Sequence, residues 1–304
     1  MKKLIVLFAA ALMALVPAVA AVEEAPADVR METKAYPLND FEGLDVSWIF
    51  HVELTQAPDY KVEVEAPDFV IPYLLVKVRG NNLVLGVSGM PSDVRRKMER
   101  GNYKVNATVH MPELSNVEMS GASKMIASGN FQTGRFVMEL SGATAVRGLQ
   151  MTANYGILEC SGASKYEMKG QLKTVKINLS GASKGTMESD GDDLDVDLSG
   201  SAKLDLTGTY DKADMELSAA THVQVKGDLD ILRLSGSGAA KADLTECPAN
   251  DVWVELSGAS SARIVALEKL GVHLSGAASC HYKAGEHLQV TETDVNRGAT
   301  LKKL

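Results

Sequence analysis

One short phrase, close to apolar-x-apolar-Ser-Gly-Ala-Ser, returns nine times between Ser120 and Ala278. Its opening serines read as Ser120, Ser141, Ser161, Ser180, Ser199, Ser218, Ser235, Ser257 and Ser275, with spacings of 21, 20, 19, 19, 19, 17, 22 and 18 residues. A unit this short cannot bury an apolar face alone. Stacking each copy on its neighbours can, so the period predicts a solenoid.

Aligned on the first serine, the columns alternate. Three places before it stand Val117, Met138, Leu158, Ile177 and Val196, and one place before it Met119, Leu140, Cys160, Leu179 and Leu198. Between them come Glu118, Glu139, Glu159, Asn178, Asp197, Glu216, Arg233, Glu255 and His273. In-out alternation is the period of a β-strand with one buried face. The Ser-Gly-Ala-Ser that follows predicts a corner, where glycine supplies φ > 0 and small side chains stack closely. Five places after the serine the column is apolar again (Met125, Val146, Tyr166, Leu204, Val223), so the chain re-enters the core. A coil of this length has a contour of about 65 Å. Coils stacked roughly 4.8 Å apart make a rod on the order of 40 Å long. The expected fold is all-β, a single-stranded parallel β-helix. It is taken as right-handed because coil length varies, without the strict hexapeptide rhythm of left-handed helices.

The flanks complete the organisation. Residues 1–20, with Lys2, Lys3, an apolar run from Leu4 to Val16 and Ala18-Val19-Ala20, read as a signal peptide cleaved after Ala20. The next residue is Ala21 rather than a lipid-attachment cysteine, so an exported chain without its own membrane anchor is expected, periplasmic or at the cell surface. Residues 21–35 are polar and read as a flexible leader, and 36–304 as the β-helix domain. Within it, 36–118 carry strands at Leu44–Val46, Phe50–Leu54, Lys61–Glu65, Leu74–Val78 and Leu83–Val87, and a short helix over Pro91–Arg100 capped by Ser92 or Asp93. Residues 119–300 carry the repeats. Removing Lys2 and Lys3 leaves 29 basic against 39 acidic residues, which argues against nucleic acid as a partner. Of three cysteines, Cys160 sits in an inward column and reads as a buried thiol; Cys247, placed in a loop before Pro248, has a bridge to Cys280 as an alternative.

Two segments carry a family resemblance. Phe41-Glu42-Gly43-Leu44-Asp45-Val46-Ser47 through Val52-Glu53-Leu54-Thr55-Gln56 and Val62-Glu63-Val64-Glu65 is similar to the opening of the GIN domain, the adhesin head domain of Bacteroidetes-type secreted proteins. Met111-Pro112-Glu113-Leu114-Ser115-Asn116-Val117-Glu118 leading into Ser120-Gly121-Ala122-Ser123-Lys124 resembles that family's entry to its repeats. The resemblance spans about residues 36–300. It implies a pectin-lyase-like right-handed β-helix, an adhesion role and no established catalytic residues.

Three outward features are candidate sites. Asp195 and Asp197 recur one coil later as Asp214 and Glu216, a quartet of oxygen ligands suited to Ca²⁺, with Asp190, Asp192 and Asp193 just upstream. The plain alternative is a solvated acidic face, in part neutralised by Arg233 lying between Glu216 and Glu255. Lys165, Lys184 and Lys203, flanked by Lys124 and His222, form a cationic stripe for a polyanionic glycan, or a solvated corner that resists edge association. Trp253, in the column of Ile231, is either a sugar-stacking platform or, through a shift of register, buried; burial is the expectation. Gly181-Ala182-Ser183-Lys184-Gly185 fits a nucleophile elbow only in form, being one of nine similar corners. Lys226-Gly227-Asp228 is an uninformative turn, and His281 and His287 lack partners for a metal.

The leading expectation is a non-enzymatic exported β-helix that binds a polysaccharide or a protein along its surface, alone or as an oligomer, with no cofactor unless Ca²⁺ binds. The alternatives are a polysaccharide lyase built on a metal-bound carboxylate cluster, and a structural component of the envelope.

Overall fold

The computed structural model describes residues 29–304; the expected signal peptide and residues 21–28 of the expected leader lie outside them. Twenty strands and one α-helix follow in order: β1 (Met31–Ala35), β2 (Gly43–Val46), β3 (Phe50–Gln56), β4 (Lys61–Pro67), β5 (Leu74–Arg79), β6 (Asn82–Val87), α1 (Ser92–Gly101), β7 (Val105–Met111), β8 (Asn116–Met119), β9 (Lys124–Ser128) and β10 (Asn130–Leu140). The long repeat strands are β11 (Ala145–Cys160), β12 (Lys165–Leu179), β13 (Lys184–Leu198), β14 (Lys203–Leu217), β15 (His222–Gly236), β16 (Lys241–Leu256) and β17 (Ser261–Leu274). The chain closes with β18 (Ser279–Ala284), β19 (Gln289–Val295) and β20 (Thr300–Lys303). From β10 to β17 each strand pairs in parallel with the next, which makes a parallel β-solenoid. No helix among the described residues is long and apolar enough to cross a membrane.

The corners hold the ladder together. The backbone N–H of Ser180 donates to Cys160 C=O, Ala182 N–H to Gly162 C=O and Lys184 N–H to Ser164 C=O, and the other repeat corners follow the same pattern. The last residue of the phrase is buried (Ser123, Ser164, Ser183, Ser260), and each of these hydroxyls donates to the C=O three residues back at 2.8 Å. Ser183 is therefore a turn residue and not an exposed nucleophile. The glycine at each corner takes a positive φ, +67° at Gly181, and the same corner conformation falls on an alanine once, Ala219 at +59°. An L-residue there carries a cost of about 1 kcal/mol that glycine escapes, although glycine returns part of it through the unfolded chain. Ala219→Gly is expected to stabilise the fold by about 0.5–1 kcal/mol, read as a higher urea midpoint; an unchanged or lower midpoint would contradict the assignment.

One corner differs from the sequence expectation. Ser237 N–H donates to Leu217 C=O and Gly238 has φ +68°, so the seventh corner is Ser237-Gly238-Ala239-Ala240 and not the phrase beginning at Ser235. The spacings on either side become 19 and 20 residues instead of 17 and 22. Gly236 falls in the inward column, where the Leu256 side chain occupies the space its Cβ would take.

The first coil precedes the visible repeat. Ser120 N–H donates to Val46 C=O and Ala122 N–H to Trp48 C=O, so Ser47-Trp48-Ile49 is a corner with Trp48 (φ +71°) in the glycine's place. Residues 57–115 are inserted between this coil and the next. Their strands β6 and β7 stack in parallel on β2 and β3, and β5, β4 and β1 continue outward antiparallel. Helix α1 joins β6 to β7 where other coils have a corner, and buries Met98 in the core. Its N-cap is Pro91, without a side-chain cap from Ser92 or Asp93, and Lys97 lies over the Phe69 ring at 3.9 Å. Strand β1 also corrects the leader: Met31–Ala35 pair with Pro67–Glu63 instead of forming flexible chain.

All three cysteines are buried and unpaired, so the alternative Cys247–Cys280 bridge is absent and Cys247 lies in β16 rather than in a loop. Burial pushes each thiol up to about 12.

A candidate ligand-binding face

Because the coils stay in register, outward side chains stack into columns that run along the solenoid. In the column two places before each corner, Asp45, Glu118, Glu139 and Glu159 are consecutive neighbours, followed by Asn178, Asp197, Glu216, Ser235, Glu255 and His273. Burial, together with the adjacent Asp45 and Glu139 carboxylates, raises the pKa of Glu118. A carboxyl whose pKa is raised by folding contributes its stability below the ordinary carboxylate range and loses it as pH climbs through the raised value. Glu118→Gln is thus expected to raise the thermal midpoint at pH 7 and to lose that advantage on acidification. An advantage that persists unchanged at acid pH would contradict the repulsion.

The predicted acidic quartet is in register, Asp195 beside Asp214 and Asp197 beside Glu216. Two of its four charges are already answered, those of Asp195 and Asp214. Lys176 lies 3.3 Å from Asp195, and Lys212 and Arg233 both reach Asp214, the latter at 3.9 Å. No group of His, Cys, Asp or Glu side chains among the described residues is arranged to hold a metal ion. Arg233 stacks on Asp214 and Trp253, not between Glu216 and Glu255; the corrected corner puts Ser235 in that place.

Lys165, Lys184 and Lys203 do form a stack, continued through His222 to Lys241. Lys241 escaped notice because the misplaced corner removed it from the column. One member of the stripe is answered across the coils, Lys184 lying 2.8 Å from Asp205, and other lysines of the same face pair likewise, Lys169 with Glu188 and Lys226 with Glu246. His281 stands between Arg263 and Lys302, a cationic setting unsuited to a metal.

Trp253 departs from the burial expectation. It is 37% exposed and lies outward in β16, beside Arg233 on one side and Gly271 on the other. The benzo ring covers Gly271 so closely that a Cβ there would sit 2.3 Å from Cε3. The indole is tilted 38° to the His273 ring at 4.9 Å between centroids. His273 Nε2 in turn lies 3.1 Å from Glu292 Oε1, an ion-pair distance rather than an aligned hydrogen bond. Asp251, in the neighbouring column, is held by Lys269 at 2.8 Å. The outcome is a half-exposed aromatic plate within a frame of hydrogen-bonding side chains. Gly271 makes it possible, and nothing in the repeat phrase marks that glycine.

These features define a parallel β-solenoid whose exterior is a ladder of aligned polar side chains. The chain belongs to the family described as "Putative auto-transporter adhesin, head GIN domain", which matches residues 40–189 and 182–285. Solved structures share the fold. One, a putative adhesin from Parabacteroides merdae ATCC 43184, has a TM-score of 0.54 at 15% identity, over 91% of this chain and 97% of that one. A second, a putative adhesin from Parabacteroides distasonis ATCC 8503, has a TM-score of 0.52 at 14% identity, over 91% and 98%. Likeness at these identities speaks for the fold alone. No curated protein matches the chain.

Proposed function

We propose that the protein is an exported, non-catalytic binding module that holds an extended glycan along its outer face, as an adhesin of the cell envelope or surface. The observation that carries this reading is the continuous register of the outward columns that flank the corners, such as that from Glu118 to His273. It sets hydroxyl, amide and charged groups at one-coil intervals on a rigid surface, an arrangement matched to a polymer rather than to a compact substrate. The ion pairs between coils support it further, since they tie up most of the basic side chains that could act beside the acidic column. Membership of an adhesin family points the same way.

The test is retention of the mature protein on a panel of immobilised polysaccharides, with and without chelator, while soluble chains are assayed for shortening or unsaturation. Retention without cleavage, unchanged by chelator, is the expected result. Product formation would overturn the non-catalytic reading, and chelator-sensitive retention would restore the Asp195, Asp197, Asp214, Glu216 quartet as a Ca²⁺ site. Failure of every polysaccharide to retain the protein would overturn the glycan and leave a protein partner.

A further inference from the structure

We propose that Trp253, laid over Gly271 and bordered by Arg233, Glu255 and His273, is a subsite for a single neutral pyranose ring. The inference rests on the glycan-binding reading above and adds the place and the sugar class.

The geometry first excludes a plain packing role. A tryptophan that serves the core points inward, whereas this indole lies outside the sheet and keeps 37% of its surface open. The column partner one coil on is a glycine, and only there does the backbone leave room for the ring to lie across it. His273 abuts the ring from the adjoining column and limits its rotation. A rigid aromatic plate loses little conformational entropy on binding, a property that makes tryptophan an effective contact residue.

The surroundings then select the ligand. A protein-binding hot spot is a buried aromatic within a ring of contacts that exclude water. Trp253 pairs with Arg233 and Gly271, and the other side chains on its face are Asp251, Glu255, Lys269, His273, Ser235 and one apolar residue, Ile231, so the surround is predominantly polar. A bound cation needs an aromatic cage or an unopposed carboxylate. Here there is a single plate, and the one carboxylate of the frame without an ion pair among the described residues, Glu255, shares it with the Arg233 guanidinium. A pyranose has one face of C–H groups for the indole and a rim of hydroxyls for carboxylate, imidazole and guanidinium partners, which is what this frame offers. The cations of the frame are matched, Lys269 with Asp251 at 2.8 Å and Arg233 with Asp214 at 3.9 Å. A uronate gains little from cations that are already paired, and an amino sugar drawn to the unpaired Glu255 would also meet Arg233 and Lys269, so the neutral hexose is the class assigned.

The experiment is titration of the mature protein with hexasaccharides of β-1,4-glucose, β-1,4-mannose and β-1,4-galactose, read by calorimetry and by the indole N–H resonances. The chain holds two tryptophans, Trp48 and Trp253, and the Trp253→Ala spectrum tells the two signals apart. At least one hexasaccharide is expected to shift the Trp253 signal and leave that of Trp48 in place. Trp253→Ala is expected to weaken binding at least tenfold and Trp253→Phe to restore part of it. Gly271→Ala, which displaces the plate without removing it, is expected to weaken binding with the indole still present. Hexasaccharide binding unaffected by Trp253→Ala overturns the subsite and leaves the glycan reading intact. If no hexasaccharide binds while a polysaccharide column retains the protein, the subsite is likewise wrong. If neither binds, both readings fall together.

Discussion

Gly181→Val is expected to destabilise the protein by about 2–5 kcal/mol, the sum of a left-handed corner imposed on a β-branched residue and overpacking against the neighbouring coil. Gly181 has φ +67°, and an added Cβ would lie 2.7 Å from Gly162 C=O. That carbonyl accepts the Ala182 N–H and cannot move away without breaking the ladder. The same geometry recurs one coil further, where a Cβ on Gly200 would sit 2.9 Å from Gly181 C=O. Urea denaturation followed by circular dichroism gives the difference; a variant as stable as the parent would show that the corners are not stacked as described.

Gly185→Leu is expected to cost at least about 3 kcal/mol, for a reason that has nothing to do with backbone conformation. Gly185 occupies an inward position where most coils place a large apolar side chain. The space is filled from the coil before by Tyr166, whose Oη and Cζ would lie 2.5 and 2.6 Å from a Cβ. Tyr166 is fully buried with its hydroxyl unpartnered, and burial pushes its pKa well up. Truncating the tyrosine should therefore relieve the leucine. The double variant Gly185→Leu/Tyr166→Ala is expected to be more stable than Gly185→Leu alone, a coupling on the order of 1–3 kcal/mol between residues in contact. Additive losses would mean that the two side chains do not share one volume.

Both predictions concern features that differ in how far the sequence reveals them. The strand columns and the Ser-Gly-Ala-Ser corners were legible because each is a local pattern: alternation fixes the faces, and glycine marks the left-handed turn. The same signal misled at Ser235, where Ser-Gly-Ser precedes the true corner at Ser237. A column there can be tested only against its neighbours in space. The first coil stayed hidden because Trp48 takes a positive φ that sequence patterns reserve for glycine, and because the 57–115 insertion separates it from the repeats. The pairing of Tyr166 with Gly185, and of Trp253 with Gly271, is a complementarity across coils. Either residue read alone gives the opposite message: a glycine gap, or a tryptophan that belongs inside. The acidic quartet was correctly stacked, but its meaning changed once Lys176, Lys212 and Arg233 were seen to reach it.

An extended ligand held by a laddered face makes a quantitative demand. Each added sugar should meet a further coil until the ligand spans the solenoid, so affinity must climb with chain length. The most direct measurement is calorimetric titration of the mature protein with a length series, from disaccharide upward, of whichever polysaccharide retains it. The account predicts an affinity that rises steadily over several added residues, with no change in the length of the recovered oligosaccharides. An affinity already maximal at the disaccharide, or products shorter than the ligand supplied, would contradict it.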